Sequence, residues 1–166
     1  MNVLEHLEPK SVFRFFEEMC AIPHGSRNTK AVSDWCADFA RARGLEYHQD
    51  GDNNIIIIKE AAPGYEAAPP VILQGHLDMV CEQTADCQKD MSREGLDLAV
   101  DGDFVYAKGT TLGGDDGIAV AMALALLDAE GLPHPRLEAV FTVDEEIGLL
   151  GAASIDVTPL KGRQML

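Results

Sequence analysis

Three short stretches carry side chains that can do chemistry together. The first is VILQGHLDMV over 71–80, where an apolar run ends in His76 and Asp78. Side chains alternate along an extended segment, so these two project to one side while Leu77 points to the other. An imidazole nitrogen suits a zinc-type ion, and a nearby carboxylate can bind metal too or hold the ring in one orientation. The second is KGTTLGGDDG over 108–117, ending in Asp115 and Asp116. A glycine-rich loop before a helix often cradles phosphate, but two carboxylates where the anion would sit disfavour phosphate and favour a cation. The third is LEAVFTVDEEIGLLGA over 137–152, where Asp144, Glu145 and Glu146 follow a strand-like run. Each stretch has a plainer reading, respectively a hydrogen-bonded strand-end histidine, a helix N-cap and a solvated acidic loop. Their shared placement argues otherwise. All follow short apolar strands or open a helix, and in α/β folds such ends converge on one crevice. One imidazole among several carboxylates suits a binuclear zinc centre with a carboxylate left over as general base.

The elements that must position these residues are legible from periodicity. Val71, Ile72 and Leu73 follow the Pro69-Pro70 breaker and form a short buried strand with its exit at Gln74-Gly75. Glu8–Cys20 carries Val12, Phe13, Phe16 and Met19 at helical spacing, with Pro9 in the first turn. A loop, IPHGSR over 22–27, follows, and its His24 reads as a hydrogen-bonded or exposed residue before it reads as a ligand. Asn28–Arg43 is a second helix, stopped at Gly44. Leu45–Asp50 and Asn54–Lys59 read as paired strands around Asp50-Gly51-Asp52-Asn53, and Leu98–Asp101 with Phe104–Ala107 as a second hairpin. Ala61–Pro70 and Cys81–Leu96 are irregular, and Ile118–Asp128 is a buried helix.

Composition bounds the function. A chain of 166 residues is about one domain, and 46% apolar with 25% charged residues is ordinary for a globular protein. The formal charge of −15 is not ordinary. It repels phosphate backbones and anionic lipid, so neither nucleic acid nor membrane is expected as a partner, while carboxylates can collect cations. The N-terminal residues are acidic where a signal peptide would be basic, and no apolar run is long enough to span a bilayer. Cys20, Cys36, Cys81 and Cys87 form no C-x-x-C pair and read as packed, reduced thiols of a cytoplasmic protein.

With HLDMV, GTTLGGDDG and VDEEIGLLGA in this order and spacing, the sequence resembles the co-catalytic zinc exopeptidases related to carboxypeptidase G, aminoacylase and tripeptidase. Within that superfamily it is most similar to the bacterial aminoacyl-histidine dipeptidases, the cytosolic nonspecific, carnosinase-like branch. The resemblance implies an α/β layered domain with a mixed, mainly parallel sheet flanked by helices. It implies two Zn2+, with Co2+ or Mn2+ as substitutes, and makes His76 a ligand of one ion, Asp115 the bridging carboxylate and Glu146 a ligand of the other. Glu145 becomes the general base toward water, and Asp78 orients His76 without binding metal. Asp116 is not a ligand in the family pattern, and the peptide joining it to Asp115 is often cis there. Gly114 stands where an alanine is usual.

The same resemblance implies hydrolysis of a small dipeptide substrate by a metallopeptidase that is a homodimer in its full-length form. Residues 1–166 would be the N-terminal part of the catalytic domain. The rest of that domain, a second domain and two further ligands, an aspartate and a late histidine, would be absent, leaving the fragment inactive alone. Hydrolysis of N-acyl amino acids, or a metal-binding and assembly role without turnover, are the alternatives that the residues leave open.

Overall fold

Two periods, 3.6 and 2, alternate along the chain, and the computed structural model, which describes residues 3–166, gives each segment the state its period favours. Helices α1 (Lys10–Cys20) and α2 (Lys30–Ala42) come first, then strands β1 (Glu46–Gln49), β2 (Ile55–Lys59) and β3 (Val71–His76). A hairpin of β4 (Leu98–Asp101) and β5 (Phe104–Ala107) precedes α3 (Gly114–Asp128). The chain closes with β6 (Leu137–Thr142), the short helix α4 (Leu150–Ser154) and β7 (Gln164–Met165).

Five strands form one sheet in the order β1-β2-β6-β3-β7. It is mixed, as expected. β1, β2 and β6 pair antiparallel, whereas β3 runs parallel to both β6 and β7. β4 and β5 stand apart as a two-stranded ribbon. The four consecutive isoleucines of β2 are all buried because both faces of the sheet are covered. On one face Ile55, Ile57, Ala139 and Phe141 meet Phe15 and Phe16 of α1, Val32 and Phe39 of α2, and Val120 and Leu124 of α3. On the other, Ile56, Ile58 and Val140 pack under Ile72, Ile155 and Leu160.

Three local expectations shift. Pro9 is the extended residue ahead of α1, not part of its first turn. Phe15 takes the buried position in α1, and Phe13 is only partly buried against the core. β3 runs on through His76, because the ladder to β6 continues to the His76–Thr142 pair. All four cysteines are free; Cys20 and Cys36 are buried, but Cys81 is exposed, so packing does not account for it.

α3 is held at its far end. Lys59 donates to the Leu127 and Ala129 carbonyls at 2.9 and 2.6 Å, and Arg14 and Arg43 both pair with Asp128. Cations at a helix C-terminus satisfy its free carbonyls and oppose its dipole.

Candidate metal centre

Parallel pairing of β3 and β6 delivers two of the three stretches to one edge. His76 lies opposite Thr142, so the residues that follow each strand emerge side by side at the carboxyl ends. The third stretch arrives with α3. Gly75 makes that approach possible, because a Cβ there would lie 3.0 Å from Asp116 Oδ2 and 3.2 Å from Val120 Cγ2. A glycine inside a strand often marks such a close backbone approach. Asp115 and Asp116 have non-helical backbone angles, so the regular helix begins after them, and no side-chain cap bond is made at its start. Neither aspartate side chain makes a hydrogen bond to the first turn, so the plainer N-cap reading does not hold. The peptide joining them is cis, as the resemblance implied.

At the meeting point His76 is buried, with one nitrogen committed. Its Nδ1 lies 2.9 Å from the Asp78 carbonyl and 3.6 Å from the Asp78 carboxylate. Its Nε2 faces Asp115 Oδ1 at 3.3 Å and Glu145 Oε2 at 3.9 Å. The Asp78 main chain, nearer than its carboxylate, therefore sets the ring's orientation. Burial alone would push the His76 pKa down, but the carboxylate and carbonyl of Asp78 lift it to about 9.

Asp78 does more than the sequence suggested. Only 1% exposed, its carboxylate accepts the Ser26 hydroxyl at 2.7 Å and the main-chain N–H groups of Glu145 and Glu146 at 3.0 and 3.3 Å. Burial opposes its ionisation, but these donors and His76 hold it down at about 2. One carboxylate thus ties β3's exit to the loop after β6. That loop is also held through Asp144, which accepts the Arg27 N–H at 2.6 Å.

Ligand atoms of His76, Glu145 and Glu146 all lie within 4.8 Å of one another, a grouping able to hold a metal ion. Asp115 adjoins it through His76, its side chain 90% exposed. It lines, with Val80, Thr111, Gly113 and Glu146, an open cleft of about 260 Å³. Burial pushes the Asp116 carboxyl above its usual range, and Asp115 and Glu145 add to this against the pull of His76. Among the described residues no lysine or arginine forms an ion pair with Asp115, Glu145 or Glu146, and it is His76 Nε2 that faces Asp115 and Glu145. An acidic cluster around an imidazole with one free nitrogen is a donor set that fits a divalent metal.

The structure brings His76, Asp78, Asp115, Glu145 and Glu146 into one crevice and leaves His24 behind it. His24 is buried, its Nδ1 2.6 Å from the Ile22 carbonyl, and burial lowers its pKa. Ser26 is the contributor that sequence reasoning missed; its loop offered only turn residues as a signal. A larger cavity, about 650 Å³, lies at the opposite end of the sheet among Arg43, Lys59, Tyr65 and His134, and contains none of these residues. The chemistry is in the shallower cleft.

Residues 72–161 match Peptidase family M20/M25/M40. The chain is 38% identical over 152 residues to the cytosol non-specific dipeptidase of Escherichia coli (strain K12), covering 92% of this chain and 31% of that protein. The crystal structure of aminoacylhistidine dipeptidase from Vibrio alginolyticus superposes with a TM-score of 0.94 at 36% identity, covering 98% of this chain and 33% of that one. A tripeptidase from Staphylococcus aureus shares the fold, with a TM-score of 0.76 at 21% identity over 94% of this chain and 42% of its own. The chain spans about a third of the length of the first two of these relatives. By its matched motifs and its fold, the chain belongs to peptidase family M20/M25/M40.

Proposed function

We propose that the full-length protein is a cytoplasmic, metal-dependent dipeptidase that hydrolyses dipeptides of the aminoacyl-histidine type with two zinc ions, Co2+ or Mn2+ being able to substitute. The observation that carries this reading is the turn of His76 Nε2, its partner nitrogen already engaged, toward the carboxylates of Asp115 and Glu145. The names of the Escherichia coli and Vibrio alginolyticus relatives supply the substrate class and the compartment. Among the described residues no helix is long and apolar enough to cross a membrane. The charge of −15 on these 166 residues disfavours nucleic acid and anionic lipid as partners of this part of the protein, and the resemblance to the dipeptidases implies a homodimer in the full-length form.

His76, Asp115 and Glu146 are the ligands this chain contributes. Bound zinc supplies Lewis acidity toward the peptide carbonyl and makes water easier to deprotonate. Glu145 takes a proton from the attacking water and returns it to the departing amine, so that the C–N bond breaks as the carboxyl product forms. Asp78 keeps His76 turned toward the ligands and holds the backbone of the glutamate pair in place.

The test uses the zinc-loaded full-length protein and a panel of aminoacyl-histidine dipeptides and N-acyl amino acids. Dipeptide hydrolysis lost with a chelator is the expected result. Glu145→Gln should keep zinc while losing about 10²–10⁴-fold in turnover, since an amide cannot accept the proton. Glu146→Gln should weaken zinc binding. Zinc lost from Glu145→Gln and kept in Glu146→Gln would reverse the two roles, and hydrolysis of N-acyl amino acids alone would overturn the substrate class.

A further inference from the structure

The loop that presents Glu145 and Glu146 leaves β6 at Val143 and has joined the first turn of α4 by Gly151. Its two ends lie side by side, the Gly151 N–H donating to the Val143 carbonyl at 3.0 Å. One buried side chain spans both. Asn54 is 1% exposed and sits just before β2, 89 residues from Val143 and 97 from Gly151 along the chain. Its Oδ1 accepts the Val143 N–H at 3.1 Å, and its Nδ2 donates to the Gly151 carbonyl at 3.1 Å and to Asp50 Oδ2 at 2.8 Å. Asp50 Oδ1 in turn accepts the Asn54 main-chain N–H at 2.9 Å.

The sheet explains why a side chain does this work. β2 begins at Ile55, opposite Phe141, and the chain bends away at Asn53, whose φ is 78°. β6 continues past that point, so the Val143 N–H has lost its strand partner, and the Asn54 amide takes the partner's place. Only an amide in one orientation fits. Reversed, its NH2 would face the Val143 N–H and its oxygen would face two acceptors, the Gly151 carbonyl and the Asp50 carboxylate. The packing leaves no slack: a Cβ on residue 151 would lie 2.4 Å from Asn54 Oδ1 and 2.4 Å from the Val143 oxygen.

We propose that Asn54 is a positioning residue for the glutamate pair: by clamping Val143 and Gly151 it fixes both ends of the loop whose middle Asp78 holds, and so sets where the Glu145 and Glu146 carboxylates stand relative to His76. Its effect on turnover rests on the hydrolase reading above, whereas its effect on metal affinity and loop mobility does not. Groups that orient metal ligands from outside the coordination sphere typically matter about 10- to 100-fold in affinity or activity.

The test is made in the zinc-loaded full-length protein. Asn54→Ala removes all three side-chain bonds, and Asn54→Asp keeps the acceptor for Val143 while turning an oxygen toward Gly151 and Asp50. Both should lose about 10- to 100-fold in kcat for a dipeptide with KM within about twofold of the parent, and about tenfold or more in zinc affinity by competition with a chromophoric chelator. Amide hydrogen exchange across 143–151 should rise while that of β3 does not. A merely structural role would lower the melting temperature and leave kcat per zinc-loaded molecule unchanged. Val32→Ala, a fully buried truncation in α2, is the control for that case. If Asn54→Ala does not fold, Asp50→Asn, which leaves Asn54 in place but disturbs the carboxylate that orients it, should give the same pattern more weakly. Parent values of kcat, zinc affinity and exchange in a folded Asn54→Ala, or in Asp50→Asn in its stead, would overturn the proposal. A parent protein that hydrolyses no dipeptide would sink the hydrolase reading alone, and zinc affinity and exchange would then decide the role of Asn54.

Discussion

Replacing Asp78 by asparagine keeps the shape of the side chain and removes what it does. Its carboxylate receives three donors, with Glu145 N–H on Oδ1 and Ser26 hydroxyl and Glu146 N–H on Oδ2. A carboxamide offers one oxygen. Whichever way it turns, its NH2 faces one main-chain N–H of the glutamate pair; the Ser26 hydroxyl can rotate to accept, but a peptide N–H cannot. Leaving one buried donor unpaired costs about 1–3 kcal/mol. The charge 3.6 Å from His76 Nδ1 goes as well, so the ring that is lifted to about 9 falls back toward the lower value burial favours. A loss of about 10- to 100-fold in zinc affinity, the usual scale for such partners, is about 1.4–2.8 kcal/mol, in the range reached from the unpaired donor. Zinc takes the neutral imidazole, so at neutral pH zinc binding should release a proton from His76 in the parent and less in Asp78→Asn. Chelator competition, proton release in weak buffer and dipeptide turnover read the three effects on the full-length protein. Asp78→Asn with parent zinc affinity, parent proton release and parent turnover would refute the claim that this carboxylate raises the basicity of the ring and holds the loop.

His76→Ala should cost more zinc affinity than Asp78→Asn does, and equal metal content in His76→Ala and parent would remove His76 from the ligands. Gly75→Ala puts a Cβ 3.0 Å from Asp116 Oδ2 and 3.2 Å from Val120 Cγ2, so these side chains must give by a few tenths of an ångström at the point where α3 delivers Asp115; about 1–3 kcal/mol of stability and a measurable part of the zinc affinity should go together, and a fully stable, fully metal-competent variant would contradict the close approach. Burial opposes ionisation of Asp128, but Arg43 and Arg14 hold its pKa below the usual carboxylate range, so its contribution is present above the unfolded value and lost as pH falls through the folded one. Asp128→Asn should therefore lower stability by about 0.5–1 kcal/mol at pH 7, with the difference closing in acid denaturation series. In the ligand set proposed above, residues 1–166 on their own offer only His76, Asp115 and Glu146, fewer than three ligands for each of the two proposed ions, and should bind zinc weakly without dipeptidase activity; chelator-sensitive turnover near the full-length rate would contradict that count.

Much of this protein can be read without its structure because the signals are local. Periodicity places α1, α2 and strands β1, β2, β4, β5 and β6 within a residue or two, since apolar spacing reports which face is buried and that depends on near neighbours. HLDMV, GGDDG and VDEE point to residues that the structure gathers in one crevice, because strand ends in α/β folds tend to meet. Side-chain partnerships across the chain are a different matter. That Asp78 would receive the amides of Glu145 and Glu146, 67 and 68 residues away, and that Asn54 would bridge Val143 and Gly151, follow from the register of β3 against β6 and of β2 against β6. A buried polar group takes whichever donors and acceptors the packed chain leaves unpaired at that place, and that inventory exists only once the sheet has assembled. In the sequence Ser26 looks like an ordinary turn residue and Asn54 like the start of a strand, and the tertiary structure makes one the partner of Asp78 and the other a clamp on the acidic loop.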